Sequence, residues 1–184
     1  MAIAAKEEYY VLRGNGAGEP LGVLNAPCAI GVTTAADNTF AMIDATNMLS
    51  RFLPVGGRPV WVMHRGVLLD LAAAGIASTV TTLMTDLQGQ NPMNLSLYGY
   101  PIIFSEHMPQ ANYDDVILAD FSAYKLWVRG GLEIDFSPHY AFINGQGTWR
   151  FGERLDGKPW LKSAITLADP QGSYTLSPFC YHDD

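Results

Sequence analysis

Cysteine is scarce in this chain: Cys28 and Cys180 are the only two, placed near opposite ends. That excludes a disulfide framework and a Cys-X-X-Cys metal site, and free thiols of a reducing compartment are the expected state. Histidine is almost as rare, and His64, His107, His139 and His182 never stand four residues from one another or from a cysteine. Zinc requires three or four converging ligands, so the sequence calls for no metal. Glu106-His107 would point to opposite faces of a strand, and His182-Asp183-Asp184 reads as a solvated tail. Positive charge is also short, with 11 Lys and Arg against 18 Asp and Glu and a net charge of −7. Phosphate contact needs clustered basic residues, so a nucleic-acid-gripping surface is not expected. No apolar run is long enough to span a bilayer, and no charged-then-apolar leader is present. A soluble, unsecreted chain is the expectation.

Apolar residues are plentiful. They make up 48% of the 184 residues while charged residues make up only 16%, below the usual quarter for soluble domains. Part of this apolar surface is expected to face partners. The length suits one domain or two small lobes, burying about 70% of the unfolded surface.

Residues 2–12 are good helix formers, and Gly14 is placed to stop the helix in a left-handed conformation. Residues 14–22 hold four glycines and Pro20, too many for a regular element and suited to a tight turn. A dinucleotide loop needs a strand before it and a helix after it, and a Walker loop needs a terminal Gly-Lys-Ser/Thr. Neither is present, so no phosphate or cofactor site is assigned.

From Asp37 the pattern turns helical, with Asp37 or Thr39 as cap and Phe40, Ile43, Leu49 and Phe52 as the apolar stripe, ended by Pro54 and Gly56-Gly57. A strand at 59–63 leads to a second helix capped by His64, with Val67, Leu68, Leu71 and Ala72 buried and Gly75 as stop. Residues 79–94 read as a strand or loop over the surface. Residues 96–106 read as a strand buried on both faces. Short β-rich runs follow at 116–121, 124–129 and 132–137, with Gly130-Gly131 as a hairpin signal. Residues 142–156 extend the meander, 163–167 supply a last strand, and 169–184 read as a loose tail.

Two blocks carry a family resemblance. Arg13-Gly14-Asn15-Gly16-Ala17-Gly18-Glu19-Pro20-Leu21-Gly22 resembles a glycine-rich turn that follows a long spine helix. The stretch from Leu97 to Pro159, through LYGYPIIFSEHMP, Asp120-Phe121-Ser122-Ala123-Tyr124 and Glu153-Arg154-Leu155-Asp156-Gly157, resembles the carboxyl-terminal half of tailed-phage major capsid proteins of the Hong Kong 97 type. The resemblance covers nearly this whole chain and about the last half to two thirds of a typical member. The amino-terminal arm, extended loop and most of the spine helix have no counterpart, as in a truncated, decayed or split form. The resemblance implies an α+β fold: an axial lobe of small sheet and two helices at 25–119, a peripheral lobe of β-meander and spine-helix remnant at 1–24 and 120–168, and a tail at 169–184. It further implies a structural, self-assembling subunit of a phage or prophage icosahedral capsid, located in the virion and assembled in the host bacterial cytoplasm. Its partners would be copies of itself or a complementary amino-terminal half. It would enclose DNA without sequence-specific binding and bind no membrane.

The candidate contact residues are the aromatics of the meander: Tyr124, Trp127, Phe136, Trp149, Phe151 and Trp160, with Tyr140 and Phe142 nearby. Such a density on a thin sheet needs cover. The family-motif turn is Gly14, Gly16, Gly18, Pro20 and Gly22. An encapsulin-like compartment protein is an alternative of the same fold. A small hydrolase using His107 or His139 is another, although no Gly-X-Ser-X-Gly elbow supports it and Ser122, Ser137, Asp114 and Asp115 read as turn residues. Asn144-Gly145 reads as a turn. No catalytic residue is assigned.

Overall fold

The computed structural model describes residues 2–33, 39–73, 96–109, 116–168 and 174–183. Its centre is a six-stranded mixed sheet. In spatial order the strands are β1 (Ile30–Thr33), β12 (Phe179–Asp183), β5 (Val116–Ala119), β2 (Val60–Met63), β4 (Tyr100–Phe104) and β3 (Ser96–Leu97). The β1–β12 and β2–β4 pairs are parallel and the others antiparallel.

β5 is the sequence Val-Ile-Leu-Ala, and all four side chains are buried. Alternation along a strand sends Val116 and Leu118 to one face and Ile117 and Ala119 to the other, so both faces need cover. On the first face they pack with Trp61, Met63 and Cys180, beneath Ala45 and Met48 of α2 (Met42–Arg51) and Val67 and Leu71 of α3 (Val67–Ala73). On the second face they join Val62, Phe179, Val23, Ala26 and Leu12, the last from α1 (Ala2–Arg13). The result is three layers, with the amino-terminal residues closing the far side of the sheet.

The expected sheet with two flanking helices is present, with local differences. α2 buries Ala45 and Met48, while Ile43 is exposed and Phe40 and Phe52 flank the helix. Ala41 has no side chain to cap with, so the Asp44 carboxylate accepts from the Ala41 N–H at 2.9 Å instead. His64 caps the turn ahead of α3, its Nδ1 accepting from Gly66 N–H at 3.0 Å. Asp37, Gly75 and residues 79–94 lie outside the described residues.

Three expectations are corrected. Residues 96–104 form a tight hairpin turning at Tyr98 and Gly99, both at positive φ; in β4 only Ile102 is buried and Ile103 is exposed. A strand second from the sheet edge needs just one covered face. Residues 179–183 are no loose tail: β12 lies between β1 and β5, with Phe179, Cys180 and His182 buried. The His182 ring meets Phe40 edge-on at 5.3 Å. Gly130-Gly131 closes no hairpin, because the strand before it pairs with residues 155–159 and the strand after it with 146–152.

Asp120, immediately after β5, ties the layers together. Its Oδ1 accepts from Ser122 N–H at 3.0 Å and Ser122 Oγ–H at 2.7 Å, and its Oδ2 accepts from Val55 N–H at 2.9 Å and Gly57 N–H at 3.1 Å. Asp120 N–H donates to Pro178 O at 2.9 Å. The carboxylate thereby fixes the loop after α2 against the end of β5, and the Asp120 backbone N–H fixes the entry to β12. Burial pushes the Asp120 carboxyl up, but the bonds from Ser122, Val55 and Gly57 outweigh it and hold it below its ordinary value of 3.8.

Removing this acceptor leaves enclosed N–H groups unpaired, at roughly 1–3 kcal/mol for each donor without a substitute partner. Asp120→Ala is expected to lower the urea midpoint accordingly. Because the folded carboxyl titrates below the unfolded one, its stabilisation is complete above 3.8 and is lost as pH falls through the lower folded value. The gap in urea midpoint between wild type and Asp120→Asn is therefore expected to be constant near neutrality and to narrow below that point.

Candidate functional site

The chain between Tyr124 and Pro159 folds back on itself as one long antiparallel ribbon. Its base pairs β6 (Tyr124–Val128) with β9 (Leu155–Pro159), and its outer part pairs β7 (Glu133–Ala141) with β8 (Gln146–Gly152). The tip is a 3₁₀ turn, Phe142–Asn144, followed by Gly145 at positive φ, as the Asn-Gly pair predicts.

Register decides what the outer ribbon presents. Ile134 lies opposite Phe151 and Phe136 opposite Trp149, while Asp135 lies opposite Arg150 and Ser137 opposite Thr148. Directly opposed residues in an antiparallel pair share a face. One face is therefore Ile134, Phe136, Trp149 and Phe151, and the other is polar, held by a charge-assisted Arg150 to Asp135 contact. The apolar face is not covered: its four side chains are 53%, 52%, 60% and 56% exposed in the order just named. The Phe136 and Trp149 rings lean on each other with centroids 4.8 Å apart.

The six predicted aromatics thus separate. Phe136, Trp149 and Phe151 make one stripe, joined by Ile134, whose membership is legible only once the pairing register is known. Trp127 is exposed on the base ribbon opposite Asp156, and Trp160 is exposed beyond β9 with Lys125 Nζ 5.7 Å from its ring centre. Tyr124 points inward. Its hydroxyl donates to Leu21 O at 3.1 Å, and burial together with nearby Asp156 pushes the phenol up to about 12.

The glycine-rich turn is a helix terminator and a brace. Gly14 N–H closes the last helical bond, to Tyr10 O, and the carbonyls beyond it, which have no helical partner, are met by the returning chain: Val23 N–H bonds to Val11 O, Leu24 N–H to Leu12 O, and Asn25 Nδ2–H to Arg13 O. Leu21 N–H then bonds to Gly157 O at 2.7 Å, fastening the turn to β9. Gly14 is not left-handed; Gly16 and Gly18 are. Gly14 is required by proximity, since a Cβ there would sit 2.0 Å from Pro20 O, and one on Gly22 would sit 2.5 Å from Gly14 N.

Of the residues weighed for hydrolysis, Asp114 and Asp115 lie outside the described residues. Ser105 Oγ donates to Glu8 Oε1 and accepts from the backbone N–H of His107, whose ring packs edge-on against Tyr9 at 5.9 Å. His139 is exposed on β7. Among the described residues no group of three or more His, Cys, Asp or Glu is placed to hold a metal ion. Ser122 sits in a turn as expected, but the cap is the Asp120 carboxylate, which accepts from the Ser122 N–H and Oγ–H.

Gly14→Ala is expected to destabilise the fold by more than Gly18→Ala in urea titrations. The first drives a methyl into backbone, whereas the second meets open space and costs only left-handed strain, about 1–2 kcal/mol.

Comparison with known proteins gives a single direction. The chain resembles the solved capsid of an empty GTA particle, computed with C5 symmetry, at 17% identity and a TM-score of 0.62, over 99% of this chain and 62% of that one. It also resembles the capsid of the native GTA particle at 18% identity and a TM-score of 0.59, over 99% of this chain and 61% of that one. The chain thus spans less than two thirds of the length of these neighbours, and the likeness shows a shared capsid fold. No curated relative matches. The profile described as the phage capsid family matches residues 1–169, and the chain belongs to that family.

Proposed function

We propose that this chain is a structural subunit of an icosahedral phage-type shell, acting by geometric fit with copies of itself through pentamer and hexamer contacts. The observation that carries the reading is the amphipathic outer ribbon: register sorts its residues into a polar face and an apolar face, and the apolar face is left in solvent by a chain of the phage capsid family. Isolated two-stranded ribbons are marginal in water, and an exposed apolar stripe of this kind is stabilised by a neighbouring surface. Stable contacts between subunits bury about 800 Å² on each partner, more than four half-exposed side chains supply. The stripe is accordingly one anchor of a larger contact.

In this reading the six-stranded sheet with α2 and α3, within residues 25–119 and completed by β12, is the axial part that faces the five- and six-fold axes. The ribbon and the glycine-rich turn form the peripheral part along subunit edges. In this reading the protein is located in the virion after assembly in the host bacterial cytoplasm. The net charge of −7 suits a wall that encloses DNA without gripping its sequence. The surface that covers the stripe belongs to another copy or to a complementary amino-terminal capsid segment.

Light scattering on purified chain is expected to show association at tens of micromolar. Phe136→Ser with Trp149→Ser should shift the protein to monomer. The loss of the ring pair should cost the fold only about 0.5–1.5 kcal/mol. A monomeric wild type, or a double variant that associates as well as wild type, would count against the stripe as a contact surface.

A further inference from the structure

Register also sorts the base of the ribbon. Tyr124 and Leu126 of β6 turn toward the core and α1, so the alternate residues turn away from it. They stand in rows with their partners on β9: Lys125 opposite Lys158, and Trp127 opposite Asp156. The same register runs one step further at each end, where Trp160 N–H donates to Ala123 O at 2.7 Å and Arg129 N–H donates to Arg154 O at 2.8 Å. Beyond the arginines the ribbon kinks, because the ladder resumes only with Glu133 opposite Gly152. The outward face therefore presents Trp160, a lysine pair, Trp127 with Asp156, and an arginine pair in succession.

All four cations and both tryptophans are exposed, and Lys125 Nζ lies 5.7 Å from the centre of the Trp160 ring, as a shared face requires. Like charges directly opposite each other destabilise a ladder, yet the lysine row keeps two. Among the described residues the one ion pair is Arg150 with Asp135, so neither lysine is paired with a carboxylate. Asp156, the only acid in these rows, accepts from Gly157 N–H at 2.8 Å. Arg154 also borders a cleft with Glu7 and Glu153, which leaves the lysine row as the uncompensated charge. Four of the 11 Lys and Arg thus meet on one face of a chain whose net charge is −7. They are scattered in the sequence, and only the pairing of β6 with β9 gathers them.

We propose that this face binds a single strand of nucleic acid without regard to sequence, with phosphates on the cation rows and unpaired bases stacked on Trp127 and Trp160. A single strand supplies both partners that the face lacks: anions along its backbone and a π-face on every base. An acidic protein surface, a second copy included, would neutralise the lysines, but carboxylate side chains have no π-face to lay on the tryptophans. An anionic membrane matches the charge and not the order of residues, since sinking Trp127 into hydrocarbon takes Asp156, directly opposite, with it. The face lies on the base of the ribbon, apart from the apolar stripe of the outer part, and does not depend on the shell reading.

Fluorescence anisotropy of a labelled oligothymidylate of about 15 nucleotides, the upper site size of such surfaces, tests it at neutral pH across a salt series. The full chain is compared with the Phe136→Ser, Trp149→Ser variant, so that association through the stripe is separated from binding. Affinity is expected to fall with salt, the logarithmic slope steepening by about 0.7 for each phosphate contact. Lys125→Gln with Lys158→Gln should reduce that slope by about 1.4 without lowering the urea midpoint, because it removes a like-charge pair. Trp127→Ala should weaken binding about 5-fold or more. Asp156→Asn, whose Oδ1 still accepts from Gly157 N–H, should tighten it. A duplex of the same length, whose bases are already stacked, should bind more weakly. The proposal is overturned by absent or salt-independent binding, by an unchanged slope in the lysine variant, or by polyglutamate or phosphatidylserine vesicles competing as well as the oligonucleotide itself.

Discussion

Everything in the central body follows from the need to cover β5 on both sides. Four consecutive buried residues cannot sit on an open sheet. One face takes the helices that follow β1 and β2. The other takes α1 and the segment running from Val23 to Cys28, so the amino-terminal residues are part of the same core as a strand from the far end of the chain. Asp120 converts that packing into a fixed geometry. Its carboxylate collects donors from both the loop after α2 and the turn after β5, and a buried carboxylate is tolerable only because those donors replace water.

The ribbon obeys the opposite logic. Its base is braced: Tyr124 bonds to Leu21 and Leu21 to Gly157, so the glycine-rich turn stands between α1 and β9 as a spacer of fixed thickness. Gly14 and Gly22 approach each other too closely for any side chain, which explains the density of glycine better than a need for left-handed backbone at each position. Past the kink the outer strands keep an ordered amphipathic face whose four apolar side chains are more than half exposed. A regular apolar surface exposed in this way is the feature on which the proposed contact between subunits rests. The two halves of the molecule divide the labour, one supplying stability and the other a projecting surface.

Local signals carried the sequence reading wherever neighbours in the chain are neighbours in space. The glycine-rich turn, the helix after Phe40, the strand at Trp61 and the Asn144-Gly145 tip are legible for that reason. β12 was not, because Tyr181-His182-Asp183 looks polar beside a Pro-rich approach, and only the distant partners β1 and β5 make it a central strand. Gly130-Gly131 has the composition of a hairpin turn, yet the pairing of β6 with β9 and β7 with β8 turns it into a kink. Among the aromatics of the meander, composition identified the region while register decided which of them share a face. Ile134 joins Phe136, Trp149 and Phe151, Tyr124 faces inward, and Trp127 and Trp160 lie on the base.

By itself the amino-acid sequence determined the fold class, the family resemblance, the glycine-rich turn and the concentration of aromatics in one meander, because these rest on residue type and short-range spacing. Tertiary structure alone decided which strand lies at the centre of the sheet and which aromatics share a face. Each of these depends on pairing between segments far apart in the chain. In a β-rich fold a shift of one residue in such pairing exchanges the two faces of a strand.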